Sequence, residues 1–346
     1  MVSIFFVISF YFNISSDPKD ELLISDEETK PQKDDSLSEQ NMIDESSLKL
    51  PGEGLSSLIG KNASDLQVLL GDPERKDPSE YGYEWWIYKK GTSQYVQAGV
   101  LDGRIVTLFA TGPDADVSPF HIGQPVSEIY SSVFIDTNIN FQYKGSSYRF
   151  ELSEDDLNTR PLIKAGNIYA QLYIDRFTGE LSSIRYMDAP TLVKLRPYEL
   201  VYRGDLIEAE PSEQAEKRLI EEGNEKQIFD ISNFIRARHE LNVLEWDEAT
   251  AKVAYEHSRD MFESKQFSHT SEKYGELSDR LEAGEVFYQM AGENIAAHYV
   301  DAPAVVEGWL NSKGHRESLL NPDFTHLGVG VYDRHYTQNF IQKWQE

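Results

Sequence analysis

The residues able to do chemistry are few and crowd into the last third of the chain: His257, His269, Glu293, His298, Glu307, Ser312, His315 and His326. Three stand apart by their neighbours. His269 follows Lys-Gln-Phe-Ser just past a helix-like run. Glu293 is set in Ala-Gly-Glu-Asn-Ile-Ala, a charge among small and apolar residues that is costly to bury without a partner. His315 follows Ser312-Lys313-Gly314 and the tryptophan-bearing segment before it. Brought together, two imidazoles and a carboxylate can hold a divalent ion or work as a general acid/base pair. The other residues read as structure. His257 lies on an apolar helical stripe and reads as a core imidazole. His298 reads as loop surface, His326 as a structural residue ahead of a strand, and Glu307, beside Gly308, as a solvated helix face. Ser312 and His315 form a Ser-His pair, but without an orienting acid or oxyanion donors such a pair is weak evidence of a nucleophile.

Composition excludes several alternatives. There is no cysteine, which removes disulfides, thiol catalysis and Cys-ligated zinc. Acids outnumber bases 59 to 33, a net charge of −26, and no basic footprint for nucleic acid is visible. Such a surface repels anionic polymers and suits cationic ligands or divalent ions. His239-Glu240 is not followed by a second histidine at metalloprotease spacing. There is no Gly-x-Ser-x-Gly elbow, no phosphate-binding loop and no dinucleotide fingerprint.

The elements that must position these residues fall into five stretches. Residues 1–14 hold a nearly continuous apolar run, Val2–Phe12, which matches the core of an export signal or a shortened membrane anchor, a full span needing about 20 such residues. No base precedes it, so a basic region and more apolar residues are expected upstream. Residues 15–54 are acidic, polar and free of aromatics, and read as a disordered, self-repelling linker. Residues 55–200 contain an internal repeat. Leu58–Pro73 and His121–Val133 both begin Ile-Gly followed by Ser-Asp-Leu or Ser-Glu-Ile, and each leads into strand-like alternation. Asp102-Gly103 is a hairpin signal, and Thr178-Gly179 a second turn. Two helix-plus-β-meander units follow, with Trp85 and Trp86 read as core. Residues 201–226 read as a connector. Residues 227–346 read as helices first and strands last: amphipathic runs at Ile228–Asn242 and Trp246–His269, a helix from Asp301 that Ser312-Lys313-Gly314 ends, and closing strands at His326–Asp333 and Asn339–Gln345. The chain is α+β throughout.

Phe267–Ser271 "FSHTS", Gly292–Ala296 "GENIA" and Val305–Val331 "VVEGWLNSKGHRESLLNPDFTHLGVGV", with the helix pair before them, resemble the CAP superfamily of cysteine-rich secretory, antigen 5 and pathogenesis-related 1 proteins. The repeat region is similar to the CAP-associated N-terminal domain of exported proteins from Gram-positive-type bacteria. The resemblance implies a C-terminal α-β-α sandwich with a central cleft, lined in the family by two histidines and two acids that can hold Zn or another divalent cation. Carried over by motif, these are His269, Glu293 and His315, with Ser312 at the place of the second acid, so one charge of the set is replaced by a neutral hydroxyl. Family members bind sterols or lipids, act as secreted signals or defence proteins, or are proposed proteases. The resemblance therefore implies an extracytoplasmic protein, secreted or held at the envelope by its N-terminus. Its cleft would take a small ligand, lipid, peptide or envelope polymer, without enzymatic activity. The alternative is a divalent-cation-dependent peptidase using the same cleft, with His269, Glu293 and His315 as its catalytic candidates.

Overall fold

The computed structural model describes residues 23–24, 30–37, 48, 50 and 52–344. The apolar run Val2–Phe12 lies outside the described residues. Contacts divide the chain into two compact units. One contains residues 25–223 together with 298–307, and the other the remaining C-terminal residues together with the segment ending at Ile24.

The first unit carries two sheets. The larger has seven strands in the order Arg75–Pro78, Glu84–Lys90, Gln94–Leu101, Arg104–Thr111, Glu180–Asp188, Ile168–Asp175, Leu162–Ala165. The internal repeat explains its centre. Each repeat opens with a short helix, Ala63–Leu70 or Val126–Ser132, and closes with a hairpin. The two closing strands pair antiparallel, Thr107 opposite Met187 and Thr111 opposite Ser183. Asp102 and Gly103 both take positive φ at the first hairpin, as a tight Asp-Gly turn requires. Leu66, Val96, Leu108, Ile129, Leu172 and Ile184 fill the core on this sheet. Trp85 is buried, as its alternation implies, while Trp86 is only half-buried and lies under the Lys76 ammonium. In the second repeat two strands, Asn138–Tyr143 and Ser146–Glu151, leave the large sheet and join Glu199–Arg203 in a four-stranded one.

The fourth strand of that sheet corrects the linker reading. Gln32–Lys33 pairs parallel with Val201–Tyr202, and Leu48 donates its N–H to Lys164 O. Leu23–Ile24 likewise pairs with Ala296–Ala297 in the other unit. Within the same stretch Leu48 and Leu50 pack against the core of the first unit. The connector is also shorter than expected: Gln214–Arg238 is one helix of 25 residues.

In the C-terminal unit five strands run in the order Leu23–Ile24, Met290–Ala297, His335–Gln342, His326–Tyr332, Glu245–Trp246. The helix Glu248–Ser264 starts at Asp247, whose carboxylate accepts from Thr250 N–H, and packs along the two closing strands. Gly328 and Gly330 make that approach possible. A Cβ at Gly330 would fall 1.9 Å from Tyr255 N and one at Gly328 2.2 Å from Ala251 N, so helix backbone sits where side chains would be. Ser258 Oγ donates to Gly330 O across the same seam. The two glycines of His-Leu-Gly-Val-Gly-Val are therefore a packing requirement. One segment left without an element in the sequence gains one, and one local expectation changes. Ala-Gly-Glu-Asn-Ile-Ala is a strand, and Gly314 ends nothing: after the helix Ala302–Asn311, Ser312 opens a further helix, Lys313–Leu319, with Gly314 inside it.

Candidate functional site

The strand Met290–Ala297 organises the site, because successive side chains leave a strand on opposite faces. Asn294 Nδ2 donates to His315 O and to Gln338 Oε1, and Gln338 reaches Ser232 Oγ on the long helix. Glu293 turns the other way, toward the helices Glu248–Ser264 and Leu277–Ala283. Its Oε1 lies 3.0 Å from His269 Nδ1 and 3.8 Å from His257 Nε2. Its Oε2 accepts a 2.6 Å hydrogen bond from Arg280 Nη2. Arg280 is itself fixed, since Nη1 donates to the carbonyls of His269 and Gly275.

The electrostatics follow from this arrangement. Burial alone would raise the Glu293 carboxyl, but Arg280, His257 and His269 outweigh it and hold the group well below the ordinary carboxylate range. Glu293 is thus a buried carboxylate with its charge already answered. Burial lowers His257, and Arg280 and His269 oppose the partial support it receives from Glu293. His315 is pushed down to about 3 by burial, with a smaller contribution from His269. Its Nδ1 is hydrogen-bonded to Ser312 Oγ at 2.8 Å, while its buried Nε2 meets no hydrogen-bond partner among the described residues.

The sequence-selected residues therefore meet in part. His269 and Glu293 are in contact, and Ser312 and His315 are in contact. As a divalent-metal set, His269, Glu293 and His315 do not fit: both Glu293 oxygens are engaged, and a guanidinium stands where a cation would be repelled. Among the described residues no group of three or more His, Asp or Glu side chains is placed to hold a metal ion. This geometry lends the tentative metal triad no support, and Ser312 is the hydrogen-bond partner of His315.

Three further residues bear on the site, and of these Glu307 departs from its reading. Arg280, the central cation of the cluster, has no marker of its own, since Ser-Asp-Arg-Leu-Glu-Ala reads as an ordinary surface helix. His257 is a core imidazole as expected, yet it stands against Glu293. Glu307 is not solvated. It is buried and accepts from Ser182 Oγ at 2.9 Å and Ser183 Oγ at 2.6 Å within the first unit. His298, at positive φ, and His326, beside Thr325 and Glu245, stay outside the cluster.

Residues 59–198 match the family model described as CAP-associated N-terminal, and residues 229–344 the cysteine-rich secretory protein family. The chain is 54% identical over 297 residues to the membrane protein YlbC of Bacillus subtilis (strain 168), covering 86% of each. It is 40% identical over 121 residues to YkwD of the same organism, covering 34% of this chain and 47% of that one. The crystal structure of an extracellular protein containing a SCP domain from Bacillus anthracis str. Ames is 46% identical with a TM-score of 0.81, covering 84% of this chain and 96% of that one. A cysteine-rich secretory protein from Staphylococcus aureus subsp. aureus Mu50 is 27% identical with a TM-score of 0.75, covering 91% and 98%. No helix among the described residues is long and apolar enough to cross a membrane. With these relatives and this architecture, the chain belongs to the CAP, or cysteine-rich secretory protein, family, with a CAP-associated domain preceding its CAP domain.

Proposed function

We propose that the protein is an extracytoplasmic, non-enzymatic binding module, secreted or held at the envelope by its N-terminus. The cleft residues His269, Glu293, Ser312 and His315 receive a small ligand, lipid, peptide or envelope polymer. The observation that carries this reading is the state of Glu293. A hydrolase in this cleft needs the carboxylate as base or metal ligand, and here Arg280 and His269 occupy both oxygens. His315, pushed down to about 3, is too weakly basic to activate Ser312 near neutral pH. What remains for a ligand is hydrogen bonding from the partly exposed His269 ring and the Ser312–His315 pair. The names of the Bacillus relatives, one a membrane protein and one extracellular, support the location.

The test is a thermal-shift screen of envelope lipids, short peptides and cell-wall fragments. The wild type is expected to respond to at least one class, and the His269→Ala/His315→Ala double variant to none. Turnover of a peptide library with Zn, Ca or Mg added would replace this reading with the peptidase. Fractionation that finds the natural gene product wholly in the cytosol would remove the location.

A further inference from the structure

The second repeat of the first unit carries a surface pocket that its core does not require. In the register of the two Ile-Gly starts, Leu66 corresponds to Ile129 and Leu70 to Val133, and all four pack in or against the core on the large sheet. The next position is Gly71 in one repeat and Phe134 in the other. Phe134 is 69% exposed, and Tyr130 on the helix before it 43%. The second repeat also adds a helix, Glu154–Thr159, opened by a capping box at Ser153. The Tyr130 hydroxyl donates to Leu157 O on that helix. A cavity of about 510 Å³ lies between residues 130–135 and 157–158, with Tyr130, Val133, Phe134, Ile135 and Leu157 as its apolar wall. All of its lining residues belong to these two segments.

The charges around the pocket say what would fill it. No Lys or Arg occurs from His121 to Tyr143 or from Phe150 to Thr159, the stretches that supply the walls. Glu128 precedes Ser131 and Ser132 of the lining by three and four residues on its helix, and Glu154 stands in the same relation to Leu157 and Asn158. That spacing puts both carboxylates on a face shared with lining residues. Asp136 follows Ile135 directly, and all three acids are exposed. Arg176 meets a fourth acid, Asp155, at 3.6 Å. The rim is therefore acidic where the wall is apolar. A partner that puts an apolar side chain into the pocket and bases over the rim matches both. Anionic lipid headgroups and nucleic acid would be repelled by the same rim.

We propose that the pocket between Val126–Ser132 and Glu154–Thr159 docks a basic segment of another protein, which inserts a large apolar side chain beside Phe134 and sets Lys or Arg against the acidic rim. The probe is an acetylated, amidated hexapeptide, Lys-Lys-Phe-Leu-Lys-Lys, titrated into the isotope-labelled full chain and followed by amide resonances. Saturable shifts centred on residues 128–136 and 154–158, with a Kd between about 10 µM and 1 mM, are expected. Replacing Phe-Leu by Ser-Ser, or every Lys by Glu, should each weaken binding at least about tenfold, because one removes the anchor and the other reverses the charge. Phe134→Ser and Glu128→Lys/Glu154→Lys, all at exposed side chains, should weaken the parent peptide to a similar degree. A peptide that loses affinity on reversal of its charge but binds Phe134→Ser as well as wild type is held by general attraction, and overturns the proposal. So do shifts that map elsewhere, or no saturable response. A concentration-dependent dimer abolished by Phe134→Ser would overturn it in favour of a second copy, and binding of anionic vesicles through this pocket in favour of a membrane.

Discussion

Arg280 Nη2 lies 2.6 Å from Glu293 Oε2, and both side chains are 4% exposed. This buried pair neutralises the one carboxylate that the family motif would give to catalysis or metal. It also makes a stability prediction. Removing one partner strands the other charge in a poorly solvated place, which costs about 3–5 kcal/mol. Arg280→Ala and Glu293→Leu should each lose that much in urea unfolding. The Arg280→Met/Glu293→Leu double variant should lose far less than the two single losses combined, since no charge is left behind. Additive losses would mean the two groups are held independently.

The histidines make stability depend on pH. His315 moves from an ordinary value of 6.5 to about 3 in the folded protein. Between these values the unfolded chain binds a proton that the folded one refuses, so this group's contribution is complete above 6.5 and is lost as pH falls. Its slope is at most about 1.4 kcal/mol per pH unit. His257 is lowered too and acts with the same sign. Glu293 adds its loss only below its ordinary value of 4.5. Midpoints measured from pH 7.5 to 5 should fall less steeply in His315→Gln than in the wild type. Parallel curves would show that His315 is not held neutral.

Zinc should leave the protein unchanged. A site filled at 100 times its Kd would raise stability by about 2.7 kcal/mol, an increase easily seen as a rise in melting midpoint. With both Glu293 oxygens engaged and Arg280 adjacent, neither that rise nor a saturable heat of zinc binding is expected. Stoichiometric heat that disappears in His269→Ala/His315→Ala would restore a two-imidazole metal site.

Local signals in the sequence carry over well, and long-range ones do not. Asp102-Gly103 is legible as a hairpin because its turn chemistry is contained in two residues, and the Ile-Gly repeats are legible because each copy folds on its own helix. His269 and Glu293 could be paired through the family motif. Arg280 could not, because nothing in its own helix distinguishes an arginine facing a buried carboxylate from one facing water. Glu307 misleads for the same reason: beside Gly308 it looks solvated, while its partners Ser182 and Ser183 lie 125 and 124 residues away in the sequence. Gly314 looks like a helix terminator, yet Ser312 simply restarts a helix, and that restart places His315 Nδ1 against the Ser312 hydroxyl.

The buried ion pair of the first unit gives a further test. Arg185 Nη2 donates to both oxygens of Asp301 at 2.8 Å, and the arginine side chain is fully buried. Asp301 also caps the following helix by accepting from Ala304 N–H. Asp301→Ala therefore removes an ion-pair partner and a cap together. The loss should exceed the roughly 1 kcal/mol of a lost cap and approach about 3–5 kcal/mol. Asp301→Asn keeps the cap and isolates the charge, and a loss of only the cap's size in Asp301→Ala would show that Arg185 finds another partner.

The glycine seam allows a sharper test, because the space argument needs no charge. At Gly330 a methyl group would overlap Tyr255 N and the Ala254 carbonyl carbon, at 1.9 Å and 2.3 Å. The obstacle is helix backbone, which cannot rotate away as a side chain can. The helix must lift from the strand, and with it the Ser258 hydrogen bond to Gly330 O and the burial of Ala251, Ala254 and Met261 weaken together. Gly330→Ala should therefore cost at least about 3 kcal/mol, at the upper end for overpacked cores. Gly179→Ala makes a useful comparison, since it has open space but a φ of +71°. Its loss should stay near the 1–2 kcal/mol of a strained left-handed residue. If Gly330→Ala unfolds in urea no more easily than Gly179→Ala, the helix is not seated as closely on its strands as these distances require.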